Sequence, residues 1–135
     1  MPEIDSNVYG KKNKFVFAIN KGINKMILRS DPGRVNDTIS EENRRIPFKN
    51  MIYIGDGPTD IPCFSLITRN GGRGLGIIQP EKPERGAPLW KGRRITVGPY
   101  RPNYEQGSDL RLMIKALIRD ISASIYEESK MSYRP

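Results

Sequence analysis

The chain has 135 residues, with 23 Lys plus Arg against 15 Asp plus Glu, no histidine, one cysteine and 36% hydrophobic residues. Without histidine there is no Ser-His-Asp or Cys-His catalytic unit, and a lone Cys63 builds neither a zinc site nor an internal disulfide. The net charge of +8 favours anionic partners without choosing among them, since acids and bases interleave (Glu81-Lys82-Pro83-Glu84-Arg85) as on an ordinary solvated surface.

Residues 1–13 are polar, with the cluster Lys11-Lys12-Asn13-Lys14 at their end, and are expected to form a loose leader to a domain over 14–128, followed by a tail over 129–135. Phe15-Val16-Phe17-Ala18-Ile19 reads as a short strand. Lys21-Gly22 then opens a segment in which Ile23, Met26 and Ile27 share a helical face, closed by the turn residues Asp31-Pro32-Gly33. The polar stretch 34–50 reads as a surface insertion, with Thr38 and Glu41 spaced as a capping box. Met51-Ile52-Tyr53-Ile54 is the continuous apolar run that a parallel strand covered on both faces requires.

Ile61, Phe64, Leu66 and Ile67 suit a short helix that stops at Asn70-Gly71-Gly72, and Leu75-Gly76-Ile77-Ile78 is the next strand. Residues 79–92 are proline-rich and charged and are expected to be loop, with a last strand at Arg94-Ile95-Thr96-Val97. Ser108 can cap a long helix in which Leu110, Met113, Ile114, Leu117, Ile121 and Ile125 recur at three- and four-residue spacing, a stripe that serves core packing. Strands alternating with helices predict an α/β protein, a Rossmann-like three-layer sandwich with a parallel sheet. No stretch nears the roughly 18 apolar residues of a membrane span, so a cytoplasmic, reducing location is expected, with Cys63 a small buried hydrophobe.

The chemistry-bearing segment is Gly55-Asp56-Gly57-Pro58-Thr59-Asp60, directly after the apolar run. Ligands of open α/β sheets bind outside the carboxyl ends of the strands, where Asp56 falls. Two carboxylates four residues apart make a hard oxygen site suited to Mg²⁺. The simpler reading makes Asp56-Gly57 a turn and Asp60 a helix N-cap.

This segment resembles the fourth motif of the haloacid dehalogenase-like (HAD) superfamily, mostly Mg²⁺-dependent phosphatases that work through an aspartyl-phosphate. Asp60-Ile61-Pro62-Cys63-Phe64 has the flavour of the phosphoserine-phosphatase-like branch. Lys21-Gly22, before that strand, looks like the third motif, whose lysine steadies the nucleophile and phosphoryl group; Lys14 and Lys25 compete for the role. The resemblance implies Mg²⁺ on Asp56 and Asp60, a catalytic Lys21, and a phosphorylated small-molecule substrate.

The resemblance spans roughly residues 14–126 and matches only the second half of the family's domain. The N-terminal strands and their Asp-x-Asp nucleophile motif have no counterpart: Glu3 and Asp5 have the spacing but follow no apolar strand. The expectation is a C-terminal HAD-like fragment, inactive alone. Association through its incomplete sheet follows. The alternative is a non-enzymatic basic module for an anionic polymer or protein partner, although no recognisable nucleic-acid-binding module is present.

Overall fold

In the computed structural model, the described residues are 3–22, 33, 45–92 and 94–132, with side chains described from Lys12 onward. The order is α1 (Glu3–Lys21), a 3₁₀ turn (Phe48–Asn50), β1 (Ile52–Gly55), a 3₁₀ turn (Pro58–Asp60), α2 (Ile61–Arg69), β2 (Arg73–Ile77), a 3₁₀ turn (Pro83–Gly86), α3 (Ala87–Lys91), β3 (Val97–Tyr100) and α4 (Asp109–Ser132). The three strands form one parallel sheet in the order β1-β2-β3. The chain is α/β, as the alternation of elements predicts.

Side chains alternate across the sheet and so divide the core in two. Met51 and Tyr53 of the β1 region pack with Val16 of α1, Phe48, and Cys63 and Ile67 of α2. Ile52 points the other way and joins Leu75, Ile77, Val97 and the α4 residues Leu110 and Leu117. Helices therefore cover both faces, and Phe64, Leu75 and Leu110 are essentially removed from water. Each such side chain contributes about 1.5–3 kcal/mol. On the α2 face, β2 presents Gly74, where a Cβ would lie 2.5 Å from Cδ1 of Phe64. The missing side chain lets the Phe64 ring lie on the sheet.

Phe15–Ile19 is helical, not a strand: it lies within α1, and residues 3–13, expected in a loose leader, are the first turns of that helix. A five-residue apolar run suits either period, and here the helical one wins, burying Val16 and Asn20 four residues apart while Phe15 and Ile19 stay about half exposed. The helical segment expected around Ile23, Met26 and Ile27, its turn at Asp31-Pro32, and the Thr38–Glu41 capping box lie outside the described residues.

The last strand starts at Val97, the final residue of the expected Arg94–Val97. Arg94 is held back by its N–H to Leu89 O (2.8 Å), and pairing begins when Thr96 N–H reaches Gly74 O (2.8 Å). The register then runs Leu75 to Val97 and Ile77 to Tyr100, with an irregularity between. The expected loop at 79–92 contains the Pro83–Gly86 turn and α3, whose Leu89 is fully buried. Pro83 and Pro88 sit at the starts of these helical turns, where no N–H is needed. The C-terminal helix and its cap are as predicted, with Ser108 Oγ accepting from Arg111 N–H (3.3 Å), but Ile125 of the expected core stripe is exposed. Leu110, Leu117 and Ile121 are buried along its stripe. Among the described residues no helix is long and apolar enough to cross a membrane.

Candidate functional site

The β1 strand ends at Gly55, and the chain turns through Asp56 and Gly57 into the Pro58–Asp60 turn that starts α2. The turn closes on the Asp60 carboxylate. Its Oδ2 accepts the backbone N–H of Asp56 (3.0 Å) and of Gly57 (3.2 Å). Its Oδ1 accepts Lys12 Nζ (2.8 Å) and the Tyr53 hydroxyl (2.7 Å). Such close closure needs a residue without a side chain at Gly55, where a Cβ would come within 2.6 Å of Asp60 Cγ.

A carboxylate offers about four lone-pair directions, and Asp60 meets four protein donors. Only 5% of the residue is exposed. Burial pushes its pKa up, but the hydrogen bonds from Lys12, Tyr53 and the two backbone N–H groups outweigh that and hold the carboxyl below its ordinary range. Burial, and then the hydrogen bond to Asp60, raise the Tyr53 hydroxyl far above its usual value, so it stays a donor. Burial likewise raises the Cys63 thiol, which sits against Asn13 Oδ1 (3.1 Å) as a packed, protonated group.

Asp56 is held differently. Its Oδ2 accepts Gln79 Nε2 (2.7 Å), from the segment after β2, and its side chain is partly exposed. The 3₁₀ turn at 83–86 lies against the same loop: a Cβ on Gly57 would be 3.2 Å from Nε of Arg85, and one on Gly86 would be 3.2 Å from Asp56 O. The site thus gathers one open carboxylate, one saturated carboxylate and the ammonium of Lys12, which also reaches Thr59 Oγ1 (2.8 Å).

Asp56 and Asp60 lie in one loop at the carboxyl end of β1, where the Asp60 carboxylate accepts the Asp56 backbone N–H. Lys21 is placed elsewhere: its ammonium lies 5.5 Å from the centroid of the Phe17 ring, near the far end of α1. Nine residues separate it from Lys12, about 13 Å along a helix axis. Lys12 is the lysine that meets Asp60, and sequence reading passed it over inside the presumed leader. The available signal was helical: Lys12, Val16 and Asn20 fall on one i, i+4 stripe, and the last two are buried. Gln79 carried no signal, since its approach to Asp56 is a tertiary contact. Among the described residues no group of three or more His, Cys, Asp or Glu is arranged to hold a metal ion.

No family model matches the chain, and no solved structure matches it. An uncharacterized protein of Borreliella burgdorferi is 36% identical over 56 residues, which is 42% of this chain and 17% of that protein's length. The chain therefore spans only a small part of this relative.

Proposed function

We propose that the chain carries the cation- and phosphate-binding half of a HAD-like phosphohydrolase site. The observation that supports this most is the division of labour between the two acids: Asp60 is consumed in holding Lys12, Tyr53 and the loop, whereas the partly exposed Asp56 carboxylate accepts Gln79 Nε2. Mg²⁺ commonly takes one or two carboxylates, with waters and substrate phosphate completing its shell, so Asp56 fits as its protein ligand. Asp60 fits as the group that orients Asp56 and Lys12, not as a second ligand. When bound, the ion would neutralise charge on a phosphoryl group.

Lys12 gives two of its three N–H donors to Thr59 and Asp60, and the third can meet a phosphate oxygen. Holding Lys12 against a buried carboxylate fixes its position. Among the described residues none stands in for the family's nucleophilic aspartate, so bond cleavage is assigned in this reading to groups outside them. The lysine role expected for Lys21 passes to Lys12 in this reading.

With Mg²⁺ and a generic phosphomonoester, the chain alone is expected to give no turnover but to bind inorganic phosphate in a Mg²⁺-dependent way that Lys12→Met weakens. Robust hydrolysis abolished by Asp56→Asn would reveal a nucleophile within the chain and overturn the half-site reading. Steeply salt-dependent binding to nucleic acid, unchanged by Asp56→Asn and Asp60→Asn, would favour the basic binding module instead.

A further inference from the structure

Gln79 makes the two oxygens of Asp56 unequal. Its Nε2 donates to Asp56 Oδ2 (2.7 Å), and among the described residues no hydrogen bond reaches Oδ1. An ionised carboxylate only accepts, so the amide turns its N–H₂ end toward Asp56 and its carbonyl away. The reach of Gln79 is set by a backbone held on both sides. β2 ends at Ile77, and the next N–H, that of Ile78, donates to Tyr100 O (2.8 Å) at the end of β3. Gln79 O then accepts Lys82 N–H (3.2 Å), closing the turn that leads into Pro83–Gly86. The parallel pairing of β1 with β2, which runs to Gly55 and Gly76, brings Gln79 and Asp56 to the same rim of the sheet.

Asp60 supplies the contrast. Both of its oxygens are taken by Lys12, Tyr53 and two backbone N–H groups, so of the four carboxylate oxygens in this loop only Oδ1 of Asp56 lacks a donor among the described residues. That difference separates two ions. Ca²⁺ takes roughly six to eight oxygens in a flexible shell, often both from one carboxylate, whereas the smaller Mg²⁺ demands near-octahedral geometry, keeps several waters and needs only one or two carboxylates. A cation spanning both Asp56 oxygens would share Oδ2 with the amide protons of Gln79, positive charge against positive.

We infer that Gln79 is a positioning residue: it holds Asp56 as a one-oxygen ligand and thereby sets the site's preference for Mg²⁺ over Ca²⁺. The inference rests on the reading of Asp56 as the cation ligand and adds the residue that governs which cation is taken. Gln79 itself touches no cation in this account. It acts through the Asp56 carboxylate, from a rigid stretch of backbone, as partners behind a metal ligand commonly do.

The test is NMR titration of the full 135-residue chain with magnesium chloride and, separately, calcium chloride. It follows the backbone amides of Asp56 and Gly57 and the side-chain N–H₂ of Gln79. In the parent, Mg²⁺ should bind more tightly than Ca²⁺, and the Gln79 side-chain protons should keep their hydrogen-bonded shift with Mg²⁺ bound. Gln79→Met keeps the length of the side chain and loses the donor. It should weaken Mg²⁺ binding about tenfold and lower the Mg²⁺-to-Ca²⁺ affinity ratio at least about threefold, with thermal unfolding checking that the variant is folded. An unchanged ratio in a folded Gln79→Met chain would overturn the inference and leave Asp56 as the ligand. Release of the Gln79 side-chain protons when Mg²⁺ binds the parent would also overturn it, a result that needs no variant. So would a parent that prefers Ca²⁺. Mg²⁺ binding that Asp56→Asn leaves intact, or no Mg²⁺ binding at all, would overturn the half-site reading together with this inference.

Discussion

At residue scale the site turns on how Asp60 is satisfied. Lys12→Met removes one of its four donors and leaves part of a buried carboxylate facing an alkyl chain, at a cost of about 1–3 kcal/mol in urea unfolding. Lys14→Met, one residue beyond Asn13 on the same helix, should stay within about 0.5 kcal/mol of the parent. Because the folded state holds the Asp60 pKa below its unfolded value, the carboxylate's contribution is complete at neutral pH and is lost as pH falls through the depressed folded value. The stability gap between the parent chain and Asp60→Asn should therefore narrow on acidification from pH 7 toward pH 3. A gap that stays constant across that range would show that the ionised form is not what the hydrogen bonds stabilise.

At element scale the central strand depends on the side chain it lacks. Gly74→Ala drives a methyl group to 2.5 Å from Cδ1 of the fully buried Phe64 ring. A loss of about 1–3 kcal/mol is expected in denaturant unfolding, from overpacking. If Gly74→Ala unfolded at the parent's midpoint, α2 could not lie on β2 as described. The elements that sequence revealed most directly are those with one unambiguous period: the apolar run at β1, the helix from Ile61, and the long stripe of α4. Phe15–Ile19 misled because five apolar residues fit both periods, and the polar turns before them disguised α1 as a leader. The same disguise hid Lys12, whereas Asp56 and Asp60 were visible because a short local spacing puts them in one loop after β1. Gln79 belongs to contacts that arise only when separate segments meet.

At the scale of the whole molecule, three parallel strands with helices on both faces carry a carboxylate to the end of β1, which lies at the side of the described sheet. The most direct test of the half-site is titration of the chain with Mn²⁺ in place of Mg²⁺, followed by paramagnetic broadening of backbone amides. The account predicts broadening centred on Asp56 and Gly57, reversed by excess Mg²⁺ and abolished by Asp56→Asn in a chain that unfolds at the parent's midpoint. Broadening that ignores Asp56→Asn, or that centres on another acidic group, would contradict it.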